Sequence, residues 1–82
     1  SDLGTWASLH AESPKDGDNN ALQGTNVHLY DTKNSLVRVP KDKLVVLGGL
    51  EDYIVVDEGD ILLIWPKSRE QDIKGVVNSL KG

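Results

Sequence analysis

Between Asn26 and Trp65 the chain concentrates 17 of its 24 Leu, Ile and Val residues, and turn-forming residues cut that stretch at short intervals. The interruptions are Asp31-Thr32-Lys33-Asn34, Pro40-Lys41-Asp42-Lys43, Gly48-Gly49 and Asp57-Glu58-Gly59-Asp60. The aliphatic pieces left between them are too short for helices, and β-branched side chains favour extended backbone. The pattern predicts five strands: Val27–Tyr30, Ser35–Val39, Leu44–Leu47, Tyr53–Asp57 and Ile61–Trp65. Short strands at such regular spacing indicate a sandwich, a barrel or a coiled β architecture. Leu44, Leu50, Val56 and Leu62 lie six apart, the period of a left-handed parallel β-helix, although the earlier strands do not keep that register.

The flanks read differently. From Leu3 to His10 there is a faint helical pattern, with Thr5 placed to cap and Trp6 and Leu9 on one face. Ala11–Thr25 is polar, contains Pro14, Gly17 and Gly24, and predicts an exposed loop. At the other end Ser68-Arg69-Glu70-Gln71 matches a capping box, in which the Ser hydroxyl and the Gln side chain each satisfy a backbone N–H. Ile73, Val76, Val77 and Leu80 follow at i, i+3, i+4 and i+7, one apolar stripe. These predict an amphipathic helix over 69–80 that covers an open face or end of the β layer. Pro66 ends the strand before it. Trp6 and Trp65 fit core or interface anchors better than a sugar-stacking platform.

Chemistry is sparse. A net charge of −4, with cations scattered singly, argues against nucleic acid or an anionic membrane as partner. Cysteine is absent, which removes disulfides and thiolate chemistry. No apolar run approaches the ~20 residues of a membrane helix, and no signal-peptide pattern opens the chain, so a cytoplasmic location is expected. His10 and His28 read as surface or turn histidines, since two histidines without cysteine make a poor zinc set. Asp16, Asp18 and Asn20 mimic half a calcium loop, but Ala21 and Val27 stand where that loop needs Gly and Glu. Glu51, Asp52, Asp57, Glu58 and Asp60 read as solvated turn residues rather than an acid/base pair. Eighty-two residues make one domain, and the absence of methionine leads us to expect a piece of a longer protein.

Three phrases are more distinctive than the composition. They are Ser1-Asp2-Leu3-Gly4-Thr5-Trp6-Ala7-Ser8-Leu9; Asp31-Thr32-Lys33-Asn34-Ser35-Leu36-Val37-Arg38 with Lys43 to Asp57; and Pro66-Lys67-Ser68-Arg69-Glu70-Gln71-Asp72-Ile73-Lys74. Together they resemble the carboxy-terminal part of bacterial mannose-1-phosphate guanylyltransferases, over nearly the whole chain except Ala11–Gln23. The resemblance implies a parent that joins mannose 1-phosphate to GTP, giving GDP-mannose and pyrophosphate with Mg²⁺. The nucleotide-binding catalytic domain would lie upstream, leaving this chain inactive alone. Asp2 matches the family's metal-holding Asp, a role it would have only in the whole parent. Residues 1–10 would then be the edge of the catalytic domain or a linker helix, 11–25 a loop, and 26–82 a β-helix-like domain closed by the helix 69–80. On this resemblance such a domain would pack on the catalytic domain and contribute to a homodimer. The stop at Gly82 fits the short form of the family, which lacks a following cupin-like isomerase domain, and equally a longer form cut at that point. The rival readings are the tail of a related sugar-phosphate nucleotidyltransferase and a free-standing β-helical interaction module.

Overall fold

A computed structural model describes residues 6–81. After helix α1 (Trp6–Glu12), the chain winds through β1 (Ala21–Gln23), β2 (Val27–Tyr30), β3 (Leu36–Arg38), β4 (Val45–Gly48) and β5 (Tyr53–Asp57). It then reverses into β6 (Leu62–Pro66), makes a 3₁₀ segment over Lys67–Asp72 and ends in α2 (Ile73–Lys81). All strand pairs are parallel until the last: β1 beside β3, β3 beside β5, and β2 beside β4. A parallel bridge between Lys33 and Glu51 makes a third side. The parallel part is a β-helix, and antiparallel β6 closes one of its faces.

The repeat length follows from the register. Val27 pairs with Val45, Lys33 with Glu51 and Leu36 with Ile54, each eighteen residues on. Ala21 pairs with Leu36, only fifteen on, because the turn Gly24–Asn26 is three residues shorter than its counterpart Val39–Leu44. The six-residue spacing noted in the sequence therefore indicates the right architecture through the wrong residues. Leu44 and Leu62 are 63% and 66% exposed, whereas Val56 is fully buried. The equivalent interior pairs are Val27 with Val45 and Leu29 with Leu47.

The sheet β1-β3-β5-β6 is covered on both faces, which explains why Leu36-Val37 and Ile54-Val55-Val56 run aliphatic without alternation. Leu36, Ile54, Val56 and Leu63 face Trp6 and Ile73 from the helices. Val37, Val39 and Val55 face Val27, Leu29, Val45 and Leu47 inside the coil. On the two-stranded sheet the opposite side points to solvent, and His28 stands there as its alternation with Val27 and Leu29 requires.

Three expectations need correction. The segment 11–25 is not loop throughout: Glu12 ends α1, and Asn20 and Ala21 are buried at the start of the first coil. The buried residues there are one amide and one methyl, while the large Leu22 points outward, so apolar patterning carried no signal. The capping box does not form either. Lys67 N–H donates to the Asp52 carbonyl at 2.7 Å, and the helical turn begins directly after extended Pro66 with no side-chain cap. Ser68 thus lies inside a 3₁₀ turn, and the α-helix starts at Ile73 rather than 69. Finally, only Ile73 and Val77 of the α2 stripe reach the core. Val76 is 40% exposed and Leu80 82%, because the helix runs past the cluster it caps.

Gly24 marks the tight first corner. Its φ of 151° is a glycine conformation, and a Cβ there would meet Val39 Cγ2 at 2.6 Å and Val27 Cγ2 at 2.9 Å. Gly24→Ala should cost about 1–3 kcal/mol by overpacking two valines of the coil interior. A urea melt reads this directly, and an unchanged midpoint would mean that the turn relaxes freely.

Candidate functional site

Polar side chains gather at one corner of the coil. Asn19, Asn34 and Asp52 stack there with φ of 63°, 52° and 64°, a left-handed backbone that Asn and Asp tolerate better than other non-glycine residues. Asn19 Nδ2 donates to Asn34 Oδ1 at 2.7 Å, and Asn34 Nδ2 donates in turn to Asp52 Oδ1. Beside this ladder Asn20 is buried and fully engaged. Its Oδ1 accepts from Ser35 N at 3.0 Å, and its Nδ2 donates to the Thr32 carbonyl at 2.8 Å. Ser35 Oγ, also buried, accepts from Tyr53 N and donates to the Lys33 carbonyl. Thr32 Oγ1 donates to the Tyr30 carbonyl. The distinctive phrase Asp31-Thr32-Lys33-Asn34-Ser35 is therefore corner chemistry, with its hydroxyls holding backbone and the Asn34 amide linking the side chains of the corners on either side.

Lys67 reaches into the same corner. Its Nζ donates to the Asn34 carbonyl at 2.8 Å and lies 3.4 Å from His10 Nδ1. Burial pushes the Lys67 ammonium below its ordinary range; Asp52 opposes that shift, Lys15 adds to it and Glu70 opposes it. His10 differs from the expected surface histidine: it is buried, with Nε2 2.9 Å from the Asn19 carbonyl. A sequence signal for this existed, since His10 follows Trp6 by four and shares its helix face.

The remaining candidates stand apart from one another. Asp2 lies outside the described residues. Trp6 is buried in the core, with the Arg38 guanidinium 5.8 Å from its ring centroid. Trp65 is half-buried against the same core; its Nε1 donates to the Arg69 carbonyl at 2.6 Å, and the Arg69 guanidinium lies 5.5 Å from its ring. Among the described residues no three His, Asp or Glu side chains come together as a metal site. Asp16 Oδ1 accepts from the main-chain N–H of Asp18 and Asn20, so the half calcium loop is a self-bonded turn. A hollow of about 80 Å³ between α1 and β1 is lined by Leu9, Pro14, Ala21, Leu22 and Leu36, with Ser13 and Gln23 its polar members. That is far below the ~300 Å³ and more of a small-molecule pocket. No helix among the described residues is long and apolar enough to cross a membrane.

Among the described residues two carboxylates are shifted. Burial would raise the Asp16 pKa, but bonds from the Asn20 backbone, the Asn20 amide and the Asp18 backbone outweigh it and hold the carboxyl below its ordinary range. Asp57 is held low by the hydrogen bond from Lys43 Nζ at 2.5 Å, and then by Gly59 N–H. A lowered folded-state pKa gives stability that is present above the ordinary carboxylate range and is lost as pH falls through the folded value. Thermal midpoints should therefore drop below about pH 4, and less steeply in Asp16→Asn/Asp57→Asn. Parallel acid limbs for the two proteins would exclude these groups as the cause.

Comparison with known proteins supplies what local geometry does not. Residues 24–80 match the family described as the MannoseP isomerase/GMP-like beta-helix domain. A mannose-1-phosphate guanylyltransferase of Escherichia coli is 36% identical over 99% of this chain, which covers 17% of that relative. The alginate biosynthesis protein AlgA of Pseudomonas aeruginosa is 40% identical over 96% of the chain, or 16% of its own length. A crystal structure from Thermus thermophilus, described as a mannose-1-phosphate geranyltransferase, superposes with a TM-score of 0.71 at 26% identity; the match covers all of this chain and 24% of that one. The chain thus spans about one sixth of the curated relatives it matches.

Proposed function

The chain belongs to the MannoseP isomerase/GMP-like beta-helix domain family, and from that premise we propose that it is the non-catalytic assembly domain of a mannose-1-phosphate guanylyltransferase. The observation that carries this reading is the use made of the signature residues. Thr32, Asn34 and Ser35 are bonded to backbone and to neighbouring corners, and none of the three lines the hollow between α1 and β1. A domain whose most distinctive residues hold its own coil has a geometric task, which is to present surfaces to the rest of its protein.

In the proposed parent, a phosphate oxygen of mannose 1-phosphate attacks the α-phosphorus of GTP. The new P–O bond gives GDP-mannose as the α–β bridging bond breaks, and pyrophosphate leaves with the bonding electrons. Mg²⁺ would belong to the upstream domain and supply charge neutralisation there. The described residues form no site for it, and Asp2 is the single carboxylate this chain would contribute. The upstream domain is the first partner, and the location is cytoplasmic. The coil, left-handed on this reading, is also the contact of a homodimer. Support for a second copy comes from the free edge of β4, which a two-stranded sheet leaves open, and from Leu44, Leu62 and Ile64 exposed at the same end. The Lys43–Asp57 ion pair brings those segments together, because Asp57 pairs with Leu62.

Pyrophosphate release by the whole parent with Mg²⁺, GTP and mannose 1-phosphate tests the activity. Asp2→Ala should reduce that release by about 10²-fold or more if its carboxylate holds the metal, and the 82-residue chain alone should release none. Turnover equal to the unchanged parent would make Asp2 structural. For the second copy, sedimentation of the 82-residue chain should show a dimer that Leu62→Lys/Ile64→Lys converts to monomer. A monomer before substitution removes that contact.

A further inference from the structure

Helix α1 is held by apolar packing of Trp6 and Leu9 and by polar contacts at both of its ends. Trp6 sits in the core. The Ala7 N–H donates to Glu70 Oε2 at 2.9 Å. At the other end His10, 7% exposed, has both ring nitrogens engaged, with Nε2 2.9 Å from the Asn19 carbonyl and Nδ1 3.4 Å from Lys67 Nζ. The tautomer follows from the partners. An ammonium has no lone pair to offer, so Nδ1 must accept and Nε2 must carry the proton it gives to the Asn19 carbonyl. A neutral imidazole is used in full here, and no atom is spare.

Lys67 makes this contact more than local. Its Nζ also holds the Asn34 carbonyl and its main-chain N–H holds the Asp52 carbonyl, so one residue ties His10 to two steps of the corner ladder. A proton added to His10 has one place to go. It would turn Nδ1 from an acceptor into a donor directed at an ammonium 3.4 Å away. The charged groups around the contact bear on Lys67, and none of them is bonded to His10. Asp52 and Glu70 act on Lys67, but Asp52 already accepts from Asn34 and Glu70 from Ala7 N. Lys15, whose Nζ is bonded to the Ala11 and Ser13 carbonyls, adds further positive charge. No carboxylate among the described residues is bonded to either nitrogen of His10.

We propose that His10 is a proton-operated latch: neutral, it closes α1 onto the corner ladder through Lys67, and protonated, it expels the Lys67 ammonium and releases the helix. The socket accommodates one positive charge, and Lys67 holds it. Because α1 precedes the first coil, its docking fixes the direction from which the chain enters the β-helix. The latch is independent of the guanylyltransferase reading and stands or falls without it.

Amide hydrogen exchange on the 82-residue chain tests it. Protection of Trp6–Glu12 should fall by about tenfold between about pH 7.5 and pH 5, where an imidazole freed to solvent takes up a proton, while Ile54–Val56 stays protected as internal control. In His10→Gln the two conditions should give the same α1 protection. Equal protection at both pH values in the unchanged chain overturns the proposal, as does a fall that persists in His10→Gln. If α1 fails to dock in that variant, ¹⁵N chemical shifts of the unchanged His10 decide. An Nε2–H tautomer at about pH 7.5, converting to the doubly protonated ring as α1 protection is lost, supports the latch. An Nδ1–H tautomer excludes it.

Discussion

A coil of short strands is only as regular as its corners, and here the corner at Asn19, Asn34 and Asp52 carries the rest. Each of these residues takes a left-handed backbone that costs energy for most side chains. What offsets the cost is the stacking of one corner on the next, with the amide of Asn19 bonded to Asn34 and that of Asn34 to Asp52. The neighbouring column does the same work inside the protein, where Asn20 accepts from Ser35 N and Ser35 Oγ accepts from Tyr53 N. Loss of a step in this inner column leaves buried donors and acceptors unmet, at about 1–3 kcal/mol each. The ladder steps match the registers of fifteen and eighteen residues, and those registers bring the aliphatic strands together.

The helices depend on that frame. The four-stranded sheet has apolar residues on both faces, and the coil itself covers only one of them. Trp6 from α1, Ile73 from α2 and the half-buried Trp65 close the other. Helix α1 and strand β6 are tied to the same 3₁₀ segment: Glu70 receives Ala7 N–H, Lys67 meets His10, and the Trp65 indole of β6 donates to the Arg69 carbonyl. These tertiary bonds explain why the helical turn starts at Lys67 and why the local capping signal at Ser68 is overridden.

The strands were legible because β-branched runs and turn residues report backbone locally; β2 and β5 coincide with the sequence-based spans. The third side of the coil was not, since a single bridge between Lys33 and Glu51 has no apolar pattern. Nor was β1, whose inward residue is only an alanine. The far half of the α2 stripe misled, because apolar periodicity reports a helix face without saying what covers it. For the candidate site, the residue types were visible and their grouping was not. Asn20, Asn34, Ser35 and Lys67 converge only after two coils are wound, through contacts separated by 15 to 33 positions.

That convergence also explains why a chain so poor in reactive groups has so distinctive a sequence. Catalytic motifs stand out because chemistry restricts the residue at a position, and a stacked corner imposes a comparable restriction by geometry. Residue 34 must tolerate positive φ, accept from Asn19 and donate to Asp52, which leaves few side chains besides Asn. Residue 35 must be small, buried and able both to accept from Tyr53 N and to donate to a carbonyl, which leaves Ser or Thr. The phrase Asp31-Thr32-Lys33-Asn34-Ser35 is therefore a record of how the coil turns, and a resemblance built on it carries architecture first and the reaction of the larger relatives only by association.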